Sequence, residues 1–253
     1  MKVFKGFEYR RGTTPIHALD PRAKLVYLML FMALAILYSN PLVLIMIFAS
    51  SLPMVAIARV FSKWAISIRG SFIFVAFIFL FNLLALYFWG GNTLEVAVLS
   101  SLSMAIRFIS LISIFSTFFL TTSPEDMTQS MVQMKIPYDY ALTFNMAMRF
   151  VPTLSKEAQY IMDAQKSRGL EMEKGNLVAR VKNYIPVLIP LIISSFRRAE
   201  LVADAMESRA FGASKKRTSI YVLRFGGKDA LFVSIALASF FALLSLRLLL
   251  SVP

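Results

Sequence analysis

The chain contains no cysteine, one histidine and only 14 acidic residues against 27 lysines and arginines in its 253 positions. The missing thiols exclude disulfide frameworks, thiolate metal sites and cysteine nucleophiles. A lone His17 excludes paired-imidazole sites and the HExxH pattern of metallohydrolases. There is no GxxxxGK[ST] phosphate loop: Gly227-Lys228 is followed by Asp229 and lacks the earlier glycine, so the chain does not hydrolyse nucleotide alone. No catalytic residue, metal site or cofactor is read from it. Charge is scarce throughout, at 16% of residues, while 58% are hydrophobic and 13% aromatic, which puts the chain in the membrane class. Met1 to Lys24 is polar and basic with no small-residue cleavage site, so no removable signal peptide is expected and the first span serves as its own insertion signal.

Uncharged apolar runs fall near 25 to 38, 42 to 58, 71 to 89, 96 to 120 and 229 to 250, giving five expected spans. The first two, at 14 and 17 residues, are short against the roughly 20 that a bilayer core needs, so they tilt or form a shallow hairpin. Of the basic residues, six precede the first span, three lie between the second and third, and sixteen between 121 and 228. The loops Ser39-Asn40 and Gly90 to Glu95 hold none. The positive-inside rule then sets a cytoplasmic N-terminus and an outside C-terminus. The expected architecture is an all-α integral membrane protein of about five transmembrane helices plus a cytoplasmic or interfacial region of amphipathic helices. Its parts are an N-terminal tail with helices 1 to 4 (1–120), a cytoplasmic coupling region (121–228) and a final span (229–253).

Local signals place several elements. Asp20-Pro21-Arg22 reads as a cap followed by proline at the first helical position. Tyr38-Ser39-Asn40-Pro41 reads as a turn, with Asn40 suited to left-handed geometry. Phe72, Phe74, Phe77, Phe79, Phe81, Phe88 and Trp89 crowd the third span, as lipid-facing bulk or as a docking surface. Arg107 sits in the middle of the fourth, where an ionised group is costly; Glu95, Asn82 or a group on another subunit are its candidate partners.

Between 121 and 228, Ser123-Pro124-Glu125-Asp126 opens a helix that Ile136-Pro137 closes. A second helix runs from Tyr140 to Arg168 past Pro152, and a third from near Asn176 past Pro186 and Pro190 to Arg209. Leu154, Ala158, Ile161 and Gln165 form one apolar stripe, and Phe196, Ala199, Val202 and Met206 another. Eight of the 14 methionines lie here, and Met127, Met131 and Met134 share a face, either as ordinary core or as a surface for varied partners. Acids interleave the basic residues, so nucleic acid is not an expected partner.

The same stretch carries a repeat. Ala158, Asp163, Ala164, Ser167 and Arg168 recur 41 positions later as Ala199, Asp204, Ala205, Ser208 and Arg209, followed by Gly169-Leu170 and Ala210-Phe211 respectively. Two equivalent arginine tips point to a partner that comes in two copies. A secondary carrier would repeat ionisable or broken-helix sites at the bilayer midplane, whereas the repeat here is cytoplasmic.

With Ser167-Arg168-Gly169, Ser208-Arg209-Ala210 and the stretch Pro15-Ile16-His17-Ala18-Leu19-Asp20-Pro21-Arg22-Ala23-Lys24-Leu25, the chain resembles the transmembrane T component of energy-coupling factor transporters over essentially its whole length. The resemblance implies a non-catalytic subunit of an ABC-type importer in a prokaryotic cell membrane, taking up vitamins or metals. It implies that the two X-Arg-X motifs contact two ABC-type ATPase subunits (EcfA and EcfA'). The membrane helices and amphipathic region would hold a substrate-binding S component, with Met127, Met131 and Met134 as docking candidates. The alternative reading is a self-contained secondary transporter or channel.

Overall fold

The computed structural model describes residues 14–91, 93–172, 174–214, 223 and 225–250. The counted basic residues Lys2, Lys5, Arg10, Arg11, Lys215, Lys216, Arg217 and Arg224 lie outside them. Every element described is helical, and no strand occurs among the described residues. The helices fall into two compact units.

The first unit contains α1 (Pro21–Leu37), α2 (Pro41–Ala58), α3 (Phe61–Phe88), α4 (Leu94–Thr121), α5 (Pro124–Gln133) and α9 (Gly227–Leu250). Three of these begin as the local signals predict. Asp20, Asn40 and Ser123 each accept a bond from a backbone N–H of the first turn, and proline follows each of them. Asn40 is therefore a helix cap in extended backbone (φ −73°, ψ 125°), not the left-handed turn residue expected of it. The expected run at 71 to 89 starts earlier, because α3 reaches back through Lys63 and Arg69.

Helices α2, α3, α4 and residues 227–245 of α9 are long and apolar enough to cross a membrane. α1 has 17 residues and is not among them, rising about 26 Å against a hydrocarbon core of about 30 Å. Phe31 and Leu34 of α1, Leu44 and Ile47 of α2, and Ile114 and Leu120 of α4 fill the centre of the bundle. α3 contributes only Trp64, Ser67 and Val75 to the buried set. Its Phe72, Phe74, Phe77, Phe81 and Phe88 are exposed, as lipid-facing residues would be.

α4 packs through hydroxyls. Ser101, Ser103, Ser110, Ser113, Ser116, Thr117 and Thr121 are all buried. Most bond back to the carbonyl four residues earlier, Ser101 to Ala97 at 2.7 Å and Thr117 to Ser113 at 2.7 Å, so the hydroxyl is satisfied within its own helix. The small side chains then let α2 and α3 approach closely, as membrane helices do where burial from water supplies no drive. Ser113 Oγ lies 2.6 Å from Ser51 Oγ of α2 and accepts from Trp64 Nε1 of α3 at 3.0 Å.

One end of this bundle is tied by charge. Lys24 is 2% exposed and donates from Nζ to Thr121 O at 2.9 Å and to His17 O at 3.4 Å, within the field of the Asp126, Asp229 and Asp20 carboxylates. Asp229 accepts from the backbone N–H of Asp20 at 2.7 Å and from that of Gly226 at 2.8 Å. His17 shares a 2.7 Å bond with Thr14 Oγ1, a structural role.

The second unit is an antiparallel pair, α6 (Tyr138–Ser167) and α8 (Ile185–Glu207), with the short α7 (Leu177–Asn183) between them. The pairing is explicit. Gln165 Nε2 donates to Pro186 O at 3.2 Å, Arg198 Nη2 bridges Glu157 Oε2 at 2.6 Å, and Tyr138 meets Phe211 with ring centroids 6.4 Å apart. The stripe Leu154, Ala158, Ile161, Gln165 is the partly covered face of α6. The α8 stripe is out of phase with expectation: Val202 and Met206 are partly covered, but Phe196 is 69% exposed and Ala199 is exposed as well.

Asp229→Ala should lower the stability of the detergent-solubilised protein by roughly 3 kcal/mol, since it strips the buried N–H of Asp20, the part-buried N–H of Gly226 and the buried Lys24 of one carboxylate. The thermal unfolding midpoint reads this, and an unchanged midpoint would show that the joint is held otherwise.

Candidate functional site

Both X-Arg-X motifs finish a helix in the same way. At the end of α6, Gly169 N donates to Lys166 O at 2.9 Å and Leu170 N to Gln165 O at 3.0 Å. At the end of α8, Ala210 N donates to Glu207 O at 2.9 Å and Phe211 N to Met206 O at 3.0 Å. Each is a Schellman closure, in which a left-handed residue turns the chain and the next N–H reaches back five positions. Gly169 has φ +87° and Ala210 has φ +56°. The written repeat is thus a repeated backbone motif, and the residue after each arginine is the one that must turn left-handed.

The arginines stand just before that turn. Arg168 is the C-cap of α6 (φ −87°, ψ 7°), and Arg209 follows the α8 C-cap, Ser208. Ser167 Oγ donates to Asp163 O at 3.0 Å and Ser208 Oγ to Ala205 O at 3.1 Å, folding both serines onto their own helices and leaving the arginine as the projecting group. Arg168 and Arg209 are exposed, and neither guanidinium has a side-chain partner among the described residues. Each therefore presents five N–H donors at a helix C-terminus, where the dipole favours a cation.

Because α6 and α8 are antiparallel, the two tips lie at opposite ends of the pair. Arg168 is beside the start of α8, and Arg209 beside the start of α6, separated by about 35 Å, the rise of a 23-residue helix. Next to Arg209 a cleft of about 420 Å³ is walled by Tyr138, Leu142, Met146, Met206 and Phe211. At that end a cation and an apolar recess are offered together.

The methionines are less uniform. Met127 of α5 packs against the core, Met131 is half-buried, and Met134, the α5 C-cap, is 53% exposed. A feature that sequence reasoning passed over is the apolar face of α7 and α8. Val178, Val181, Leu188, Ile189, Ile192 and Ile193 are all exposed in a segment otherwise rich in charge. The run Ile185 to Ile193 could have signalled it, but its two prolines drew the reading toward an interruption.

Among known proteins, the family model CbiQ, described as cobalt transport protein, matches residues 12–220. The chain is 35% identical over 234 residues, 85% of its own length and 87% of the relative's, to the energy-coupling factor transporter transmembrane protein EcfT of Staphylococcus aureus. It is 32% identical over 255 residues, 95% of both chains, to the protein of that name from Acidaminococcus fermentans. The Bacillus subtilis protein of that name is 33% identical over 238 residues, covering 88% of this chain and 90% of the relative.

The two caps differ in one respect that can be measured. A Cβ added at Gly169 meets nothing within 4 Å, so Gly169→Ala carries only the left-handed backbone penalty, about 1 kcal/mol of stability. Ala210→Gly should do the reverse and raise stability by about 0.5 to 1 kcal/mol. Thermal midpoints of the two purified variants should move in opposite directions; a shift of the same sign in both would contradict the matched caps.

Proposed function

We propose a function from one premise: this chain belongs to the CbiQ family and, within it, to the energy-coupling factor transporter transmembrane proteins. It is a multi-pass membrane subunit of a transporter. In our reading it is the non-catalytic part that passes ATP-driven movement from two ABC-type ATPase subunits to a substrate-binding S component, for import of a vitamin or metal across a prokaryotic cell membrane. The N-terminus and the second unit face the cytoplasm, and ATP hydrolysis belongs to the partners.

The observation that carries this reading is the pair of exposed arginines on matched caps at opposite ends of one antiparallel hairpin. Matched ends suit two similar partners, one at each. A guanidinium offers a fork of donors to carboxylates or backbone carbonyls, with charge-assisted bonds of roughly 1.5 to 3 kcal/mol each. Ser167 and Gly169, Ser208 and Ala210 act by shaping the cap that aims the arginine. At the Arg209 end the neighbouring cleft takes an apolar side chain of the ATPase alongside the ion contact. The exposed apolar face of α7 and α8 suits the S component and the inner leaflet better than water does. Met134 adds a smaller, adaptable contact for the S component, with Met131 and Met127 behind it.

Coupling follows from this layout. If the two ATPases close on nucleotide, they bring together or rotate the two tips they hold. A hairpin clamped by Glu157 and Arg198 transmits that displacement along its axis to whatever rests on the α8 face.

Arg168→Glu and Arg209→Glu should each weaken retention of the ATPase subunits, and the double variant should abolish both co-purification and coupled uptake while membrane insertion is unchanged. Normal uptake by the double variant, or substrate flux through the lone protein in liposomes, would defeat the assignment and favour a self-contained carrier.

A further inference from the structure

Arg107 is a basic group at the middle of a membrane helix that the function above leaves unused. It is the fourteenth of the 28 residues of α4. Its Nη2 donates to Tyr38 O at 2.6 Å and to Ser39 Oγ at 3.3 Å, and Nη1 faces Met104 Sδ at 3.6 Å. Its Nε is buried without an acceptor. Among the described residues it forms no ion pair. Glu95, one partner expected for it, is twelve residues away on the same helix, about 18 Å along the axis. The other, Asn82, lines the same cleft without a direct bond. A permanently charged guanidinium is thus held at membrane depth by a carbonyl, a hydroxyl and a thioether, with no counter-charge.

The surroundings are shaped for an anion. Arg107 opens into a cleft of about 380 Å³ with Ser39, Asn40, Asn82, Ser100 and Ser103 on its walls. Asn40 spends its Oδ1 on the N–H of Leu42, so its amide nitrogen, a donor, is the end left over. Leu99 and Met104 border the same cleft and are 55% and 40% exposed, which gives the polar recess an apolar rim. The cleft lies where the short α1–α2 hairpin stops and α3 and α4 continue, about 21 Å along α4 from Thr121 at the Lys24 end. α1 rises about 26 Å against a core of about 30 Å, a mismatch that local thinning of the bilayer accommodates by lowering headgroups toward this level.

We propose that this cleft binds the phosphate headgroup of an anionic phospholipid, with Arg107 as its counter-ion, Asn82, Asn40 and Ser100 as neutral hydrogen-bonding partners, and the acyl chains running along Leu99 and Met104. A phosphodiester brings several acceptor oxygens to a fork of donors, a better match than a single partner carboxylate, and the apolar rim fits a lipid better than a free anion. In the orientation proposed above, this is an outer-leaflet lipid. The site does not depend on ATPase contacts, so its failure and theirs are separable.

Native mass spectrometry of the purified full chain in detergent, with phosphatidylglycerol, phosphatidylcholine or inorganic phosphate added, tests this. Wild type should retain phosphatidylglycerol at least tenfold better than phosphatidylcholine, with millimolar inorganic phosphate failing to displace it. Arg107→Gln should lose about tenfold in that retention. Ser100→Leu fills the cleft without touching the Arg107 bond to Tyr38 O, so it should show the same loss and reads the site if Arg107→Gln fails to fold. Retention unchanged in Ser100→Leu, equal retention of the neutral lipid, or displacement by free phosphate would each overturn the proposal.

Discussion

The buried ammonium of Lys24 is the interaction on which the membrane unit depends. An ion removed from water costs several kcal/mol unless the protein answers it, and here the answers come from four directions. Thr121 at the end of α4 and His17 before α1 supply carbonyls, while Asp20, Asp126 and Asp229 supply negative charge. The backbone N–H of Asp20 also donates to the Asp229 carboxylate, although 209 positions separate the two residues. The start of α1, the end of α4, the first turn of α5 and the start of α9 are therefore one electrostatic object. Moving any of them away would strip a buried charge of part of its compensation, so the charge favours keeping these helix ends together.

Away from that joint, helix contacts obey the rules of lipid. Between the charged end and Arg107, α4 shows its neighbours mostly serine and threonine; Ser110, Thr117 and Thr121 are satisfied by their own helix and lie against a neighbour at short distance, while Ser113 bonds across to α2 and α3. α3 does the opposite and turns most of its aromatic bulk outward. Hydrocarbon solvates a phenylalanine as well as a protein core does, so the selective contact is the small polar one. That is why α4, and not the more hydrophobic α3, lies at the centre of the bundle.

These facts also explain what the chain discloses when read as letters. Helix starts are legible because Asp20-Pro21 and Ser123-Pro124 combine a side-chain acceptor with a residue lacking the unwanted N–H, which is local chemistry. The repeat ending in Ser167-Arg168 and Ser208-Arg209 is legible for the same reason, since a Schellman closure is made within six residues. What resisted was partnership at a distance. The carbonyl that answers Arg107 belongs to Tyr38, and a carbonyl carries no mark in the sequence. Asn40 suited both a turn and a cap, and only the helix following at Pro41 decided between them. The α8 stripe was misphased because Phe196 looks like core, while the actual contacts of that helix with α6 run through Ser194 and Arg198 to Glu157. A polar clamp is invisible to hydrophobic periodicity.

That clamp has a mechanical consequence for the α6–α8 hairpin. Two helices held only by apolar contact slide past one another at little cost, because one methyl replaces another. Glu157 engages both Ser194 and Arg198, and its side chain and that of Arg198 are only 25% and 30% exposed, so sliding by one turn would break a shielded charge-assisted pair with no substitute in register. Gln165 to Pro186 near one end and Tyr138 against Phe211 near the other keep the same register. The two arginine tips are therefore ends of a single strut and not independent loops. A push at Arg209 reaches Arg168 as displacement along a fixed axis, which is the property that the proposed coupling role requires.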